Sequence, residues 1–365
     1  MFRKELETLR PYIPGKSIEK VKEEYNLSYV NKLASNENPL GPSPKAIEAM
    51  KKAVETVHIY PDPAVSKLSQ AIRAEYDLKE DEIIFGNGGE ELIKLVAQTF
   101  INPEDEAIMS KPTFGLYHSS VTHMGGLGIE VPAKEDFSHD LDAFLDKVND
   151  KTKLVYICNP NNPTGNVITK DVLMAFVNRL PDHVVLFLDE AYYDFARVDD
   201  RYPNGLDILK ERPNTIVLRT FSKISGIAGV RTAYVMTSPE ITSQIKKVKG
   251  VFNVNSVGQA GACAAFSDRD HTEKTVALNQ ASISALTQFC KDNSLKYIPT
   301  GANFLFMTTP FDSFDIFEAL QKQGVIIRPG GLWGHNEWIR VSSGTMEQTE
   351  NFIQVMTNLI NSEKG

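Results

Sequence analysis

Val184-Val185-Leu186-Phe187-Leu188-Asp189-Glu190-Ala191-Tyr192-Tyr193 is the stretch from which the fold of this chain is read. Five apolar residues in a row, without polar alternation, predict a strand buried on both faces, and such strands belong to parallel sheets covered by helices. Ligands of open α/β sheets bind beyond the carboxyl ends of the strands, and Asp189 stands at that end. Taken alone, Asp189 reads equally as a helix cap or the partner of a nearby lysine.

The same rhythm recurs on either side. Ile83-Ile84-Phe85, Ala107-Ile108-Met109, Leu154-Val155-Tyr156-Ile157-Cys158, Thr215-Ile216-Val217-Leu218 and Ala233-Tyr234-Val235-Met236 predict further buried strands. Between two of them, Val172, Phe176 and Leu180 at i, i+4, i+8 predict an amphipathic crossover helix with Thr169 as N-cap. This βαβ order predicts a mainly parallel sheet. The last third changes character. Strands are expected at 303–307, 325–327 and 339–341, followed by a closing helix carrying Phe352, Val355, Met356, Leu359 and Ile360. Thr345 and Gln348 have capping-box spacing for that helix. Pro44 ends a proline-rich loop and is suited to the first position of a helix. The expected organisation is an arm (1–31), a large domain (32–250) and a small one (251–365).

Composition excludes several function classes. With 365 residues, 42% hydrophobic and 24% charged, the chain can bury a large core and a smaller one. A net charge of -8 leaves no cationic surplus to neutralise phosphates, which argues against a general nucleic-acid binder. No apolar stretch has membrane-spanning length and the start, Met1-Phe2-Arg3-Lys4-Glu5, lacks a signal-peptide run, so no membrane association and a cytoplasmic location are expected. Cys158, Cys263 and Cys290 are odd in number and widely spaced, which predicts reduced thiols. The histidines lack ligand spacing, and no metal is expected.

Chemistry concentrates in a few blocks. Gly86-Asn87-Gly88-Gly89-Glu90-Glu91 follows a strand and opens a helix, whose amides could hold a phosphate; a tight turn is the plainer reading. Glu91 occupies the third glycine position of a dinucleotide fingerprint, so that motif is absent. Asn161-Asn162-Pro163-Thr164-Gly165 fixes Asn162 in a turn. Thr220-Phe221-Ser222-Lys223 leads through two glycines to Arg231, which could supply the positive charge that makes Lys223 nucleophilic; two solvated loop cations are the alternative. Arg340 lies between apolar strand neighbours and suits an anion or an acidic side chain. Arg328 fits an anion or a salt bridge. Together the blocks contain an amine for a Schiff base, a carboxylate for a pyridinium nitrogen, a phenol in Tyr192, and hydroxyls with an arginine for a phosphate monoester. Those are the partners that pyridoxal 5'-phosphate requires.

In these blocks, and in Pro11-Tyr12-Ile13-Pro14-Gly15-Lys16, Lys32-Leu33-Ala34-Ser35-Asn36-Glu37-Asn38-Pro39, Tyr60-Pro61-Asp62, Pro112-Thr113-Phe114 and Ile339-Arg340-Val341-Ser342-Ser343-Gly344-Thr345, the chain resembles the fold-type I pyridoxal-phosphate aminotransferases almost end to end. The amino-terminal blocks resemble the subfamily acting on histidinol phosphate. The resemblance implies an α/β, aspartate-aminotransferase-like fold: a mainly parallel seven-stranded sheet in the large domain and a smaller α+β domain. It implies that Lys223 bonds the cofactor and shuttles the proton, that Asp189 pairs with the ring nitrogen, that Asn162 and Tyr192 hold the ring oxygen, and that Phe114 stacks on the ring. Phosphate contacts fall to the Gly89 and Glu90 amides, Thr220, Ser222 and Arg231, with Tyr60 from the partner in a homodimer. Tyr12, Asn36, Arg328 and Arg340 fall at the substrate. The implied reaction converts L-histidinol phosphate and 2-oxoglutarate to imidazole-acetol phosphate and L-glutamate. An aromatic amino acid or prephenate aminotransferase is the alternative on this scaffold, and a pyridoxal-phosphate-sensing regulator is the alternative from another class. Five positions depart from the pattern: Ile224-Ser225 replace a small residue and an aromatic, Phe114 replaces a tyrosine, and Gly89-Glu90 replace Ser-Asp.

Overall fold

The computed structural model describes residues 2–7, 9 and 15–362. The predicted apolar runs pair into one seven-stranded sheet of β1 (Ile83–Gly86), β2 (Glu106–Lys111), β3 (Leu127–Pro132), β4 (Thr152–Cys158), β5 (Val185–Asp189), β6 (Thr215–Thr220) and β7 (Ala233–Thr237), in the order β1-β7-β6-β5-β4-β2-β3. All run parallel except β7, which is antiparallel to both of its neighbours. Every residue of β1, β5 and β7 is buried. Two apolar cores cover the sheet, one on each face: Val155, Ile157, Leu186 and Leu188 face one, and Leu154, Tyr156, Val185 and Phe187 face the other. That two-sided burial, about 1.5 to 3 kcal/mol for each large side chain, is why these strands read as unbroken apolar runs.

Two details differ from the sequence reading. The edge strand β3 was not among the predicted apolar runs, because it has a neighbour on one side only and most of its residues keep contact with water. The crossover helix forms over Lys170–Val177, but its buried residues are Leu173, Phe176 and Val177, while Val172 is exposed. The inward stripe therefore follows the i, i+3, i+4 spacing from Leu173. Thr169 holds the N-cap position without a side-chain cap bond.

The last third forms a four-stranded antiparallel sheet centred on β8 (Phe304–Thr308) and β9 (Trp338–Ser342), flanked by Arg328–Pro329 and Tyr297–Ile298. Side chains alternate between its two faces. Leu305, Met307, Ile339 and Val341 enter a core with Phe352 and Met356 of the closing helix Met346–Ser362. Phe304, Phe306, Arg340 and Ser342 belong to the other face. The capping box forms as predicted: the Thr345 N–H donates to Gln348 Oε1 at 3.0 Å, and the Gln348 N–H to Thr345 Oγ1 at 3.2 Å. Pro44 opens the helix Pro44–Val54, capped by Ser43.

Val325-Ile326 pairs with Asn31-Lys32 in a separate two-stranded parallel ladder. For the domains we propose the divisions 1–31, 32–250 and 251–365, with packing that crosses them. Leu33 joins the small core, whereas Val254 and Ala262 join the large one.

Candidate active site

Parallel strands deliver their following loops to one end of the sheet. There β1 leads to the helix Gly89–Phe100, β4 to Asn162, β5 ends in Asp189, and β6 leads to Lys223. Asp189 is 4% exposed, so its two adjacent hydrogen bonds matter. Oδ2 accepts from the Tyr117 hydroxyl at 2.6 Å, and Oδ1 from the Ala191 N–H at 2.9 Å. Burial pushes the Asp189 carboxyl above its usual range, against the opposing pull of the Tyr117 hydrogen bond and the Lys223 charge. Tyr117 is fully buried and stacks on Tyr156 at 4.8 Å. Burial raises its phenol well above the ordinary value, so it remains a donor. Phe114, three residues earlier, meets Tyr117 edge-on at 5.7 Å.

The neighbouring carboxylate has a different task. Glu190 accepts from Arg219 Nε at 2.9 Å and Nη2 at 2.8 Å, and from the Gly205 N–H at 2.7 Å. It is committed to a buried ion pair, whereas the charge acting on Asp189 is that of Lys223.

Lys223 donates from Nζ to the Ser35 carbonyl at 3.1 Å and lies 5.9 Å from the centre of the Tyr192 ring. Burial lowers its ammonium to about 8, and the positive charges of Arg340 and Arg231 add to the shift. Such an amine is partly deprotonated near neutrality and can act as a nucleophile or carry a proton. Tyr192 is buried, and its hydroxyl accepts from Asn36 Nδ2 at 3.0 Å. Asn36, at φ 56, also donates from its N–H to Ser342 Oγ at 2.9 Å and accepts at Oδ1 from the Ser342 hydroxyl at 2.8 Å. It joins Tyr192 to β9.

Among the residues expected at a phosphate, Gly89 and Glu90 open the helix Gly89–Phe100, whose amino end has no side-chain cap. Gly88 has φ +82, and a Cβ there would run into the Arg231 guanidinium. Glycine is therefore required twice over, by conformation and by space. The Glu90 side chain turns aside to Lys94 at 2.6 Å, which leaves its backbone amide as its contribution. Thr220 Oγ1 donates to Ser222 Oγ at 3.0 Å and accepts from the Ser222 N–H at 3.1 Å. Open amides, hydroxyls and an arginine form a ready anion site.

Arg340 is 6% exposed. It donates from Nη2 to the Ala34 carbonyl at 2.7 Å and from Nη1 to Asn162 Oδ1. Its guanidinium carbon lies 5.2 Å from the Phe304 ring centre and 5.4 Å from that of Trp333. Arg328 pairs directly opposite Arg340 in the ladder, and Gly15 lies beside its Nη1. Directly paired residues share a face, so the two arginine side chains leave the sheet on the same side.

Of the expected site residues, Asn36, Phe114, Asn162, Asp189, Tyr192, Lys223, Arg328 and Arg340 are thus linked through described contacts; Gly89 and Glu90 form the helix terminus with Arg231 against Gly88, and the Thr220–Ser222 pair reaches the carbonyl of Thr232, next to Arg231. Tyr60 stands apart: it is 78% exposed and stacks on Phe252 at 4.7 Å. Tyr12 lies outside the described residues. Tyr117, Trp333, Ser342 and the Ala34 and Ser35 carbonyls were not anticipated. The one available signal was Phe114-x-x-Tyr117, two aromatics three residues apart; Phe114 itself precedes the helix Leu116–His123, and its carbonyl accepts from the Tyr117 N–H at 3.2 Å.

The profile of the family described as "Aminotransferase class I and II" matches residues 29–356. The chain is 45% identical to histidinol-phosphate aminotransferase 2 of Carboxydothermus hydrogenoformans, covering 97% of each chain. It is 41% identical to histidinol-phosphate aminotransferase of Moorella thermoacetica, over 98% of this chain and 92% of that one. Among solved structures, histidinol-phosphate aminotransferase from Sinorhizobium meliloti in complex with pyridoxal-5'-phosphate superposes with a TM-score of 0.89 at 26% identity, covering 98% of both chains. Aspartate aminotransferase from Thermus thermophilus shares the fold, with a TM-score of 0.82 at 21% identity over 97% of this chain and 99% of that one.

Proposed function

Because the chain belongs to the aminotransferase class I and II family, we propose that it transfers the amino group of L-histidinol phosphate to 2-oxoglutarate, with pyridoxal 5'-phosphate as cofactor. The products are imidazole-acetol phosphate and L-glutamate. The observation that carries this reading is the placement of Arg328 opposite Arg340, on a sheet joined to Lys223 and Asp189 through Asn36, Tyr192 and Asn162. One guanidinium fork suits the carboxylate of glutamate or the phosphate of histidinol phosphate in successive half-reactions, and the second guanidinium matches the extra charge of a phosphate dianion.

The residues fit the cofactor. The Gly88 cradle has room for no side chain beside Arg231, the amino end of the helix behind it has no side-chain cap, and burial holds the Asp189 carboxyl above its usual range, so that a cationic ring nitrogen beside it would favour its charged form. When bound, pyridoxal phosphate supplies a carbon that takes up amines and a protonated ring that draws electron density from the substrate's α-carbon. Asp189 would pair with the ring nitrogen and favour its protonated form, in surroundings where the carboxylate charge is poorly screened. Tyr117 holds that carboxylate in place. Phe114 walls one face of the ring, and Tyr192 and Asn162 orient it at its oxygen. The Gly89 and Glu90 amides, Thr220, Ser222 and Arg231 bind the phosphate. With the cofactor bound, Lys223 would carry the proton between the substrate's α-carbon and the cofactor. Asn36, Arg340, Arg328 and Tyr12 orient the substrate.

The same reading makes the protein a cytoplasmic homodimer in which Tyr60 completes the phosphate site of a second copy. In support, Tyr60 and Phe252 are exposed together with Val54, Val57, Ile59 and Val251, an apolar grouping of the kind that marks an interface. Among the described residues no helix is long and apolar enough to cross a membrane.

Single-turnover spectra of the pyridoxal form with L-histidinol phosphate, phenylalanine and tyrosine test the assignment. Histidinol phosphate is expected to convert the cofactor fastest. A preference for phenylalanine or tyrosine would make the protein an aromatic aminotransferase, and no conversion by any amine would point to a sensor of the cofactor.

A further inference from the structure

The face of the small sheet that carries Arg340 also carries an aromatic cluster. Phe306 pairs directly opposite Arg340, stacks on Trp338 at 4.9 Å and meets Trp333 edge-on at 6.3 Å. Trp333 lies against the Arg340 guanidinium in turn. One member of the cluster comes from the large sheet's side of the molecule. Phe137, on the turn between β3 and the helix Leu141–Lys147, meets Phe306 at 5.5 Å, Trp338 at 4.9 Å and His335 at 4.8 Å, each edge-on. Its backbone is tied to the loop that bears Asn162, because Asn166 Nδ2 donates to the Phe137 carbonyl at 2.6 Å.

Phe137 also has φ 62. A left-handed backbone is unfavourable for a bulky residue without a local side-chain hydrogen bond, and it persists only where surrounding contacts over-determine it. Glycine would relieve the backbone and asparagine would tolerate it. A phenylalanine there points to a use for the ring.

We propose that Phe137 is a positioning residue whose ring docks the small sheet against the large one and thereby holds Arg340 over the active site. It acts through Phe306 and Trp333, and it touches neither cofactor nor substrate. The inference rests on the transamination proposed above. It assigns recognition of the substrate anion in part to a turn distant in sequence from both arginines.

The test uses the holoenzyme with Phe137→Gly, which deletes the ring while relieving the backbone, and Phe137→Leu, which keeps apolar bulk. Loss of three edge-on contacts predicts that Phe137→Gly raises KM for glutamate and for 2-oxoglutarate about tenfold, with kcat within about threefold of wild type and the cofactor absorbance unchanged. Phe137→Leu is expected to recover most of the loss. A KM within about twofold of wild type in Phe137→Gly would overturn the proposal, as would a parallel fall in kcat and cofactor binding, which indicates general loosening. A second readout is independent of turnover. Both tryptophans of the chain, Trp333 and Trp338, lie in this cluster, so Phe137→Gly should shift their emission to longer wavelength. Unchanged emission would show that the ring does not dock there, whereas a wild-type enzyme that fails to transaminate glutamate would instead remove the function on which the inference rests.

Discussion

Tyr117 donates its hydroxyl to Asp189 at 2.6 Å from the first turn of a helix, and the same ring is stacked on Tyr156 and braced edge-on by Phe114. A carboxylate buried at the end of β5 is costly to keep ionised, and this hydrogen bond offsets part of that cost. Removing it in Tyr117→Phe raises the Asp189 carboxyl further. The acid limb of kcat/KM is therefore expected to move to higher pH, with the cofactor still bound. An unmoved limb would mean that Asp189 does not set it.

Asp189→Asn separates stability from activity. The folded-state pKa of Asp189 lies above its unfolded value, so the stabilising effect of its protonation is full below the unfolded value and is lost as pH rises through the folded one. At neutral pH the buried carboxylate thus weakens the apoenzyme, and the neutral amide should raise its Tm. That advantage shrinks as pH is lowered through the Asp189 titration. Activity should fall by several orders of magnitude, since an amide cannot hold the ring nitrogen protonated. Thermal melts of the cofactor-free protein at two pH values, together with turnover, check both halves. Near-normal kcat would place another residue at the ring nitrogen.

The Lys223 ammonium is lowered to about 8 by burial, with Arg340 the next contributor. Replacing Arg340 with methionine removes a like charge and should raise that value. The rate at which apoenzyme captures pyridoxal, followed against pH, is expected to have its midpoint near 8 in wild type and higher in Arg340→Met. Lys223→Ala should lack the absorbance band of lysine-bound cofactor and lose turnover while remaining folded. Normal transamination by Lys223→Ala would remove the site assignment.

Complementation tests the shared site. Tyr60→Ala and Lys223→Ala are each expected to be inactive, and mixing them should restore partial activity, because one site of the mixed dimer has both residues. Labelled subunits establish that exchange has occurred. Exchange without recovered activity would place Tyr60 in its own subunit's site or in none.

Arg328 and Arg340 should differ in what they cost. Arg340→Lys keeps charge but loses the bidentate fork, so it weakens both half-reactions. Arg328→Ala should weaken the histidinol-phosphate half far more than the glutamate half. Loss of one charge-assisted contact to the dianion costs about 1.5 to 3 kcal/mol, roughly ten- to hundredfold in rate at low substrate. Single-turnover measurements resolve the halves, and equal losses would deny Arg328 a phosphate role.

What the sequence determined by itself was local. The two-sided apolar runs became β1, β2 and β4 to β7, the Thr345–Gln348 box closed over three residues, and Asp189 stood at the end of its strand, because hydrophobic period and cap spacing act within a few residues of the chain. The resemblance carried by its motifs pointed to Asn36, Asn162, Asp189, Tyr192 and Arg340, which the structure links to the surroundings of Lys223, and to Tyr60, which stands apart. Only the tertiary structure decided how they are held. Asn36 meets Ser342 across 306 positions and Tyr192 across 156, and Tyr117 reaches Asp189 across 72. Arg328 faces Arg340 because a ladder register sets them opposite, and Val172 points outward because its helix is rotated onto Leu173 and Phe176. Phe137 meets Trp338 only when the two sheets close. Register, helix rotation and closure arise when many weak contacts are satisfied together. No short window of sequence contains both partners of such contacts, and so none could report them.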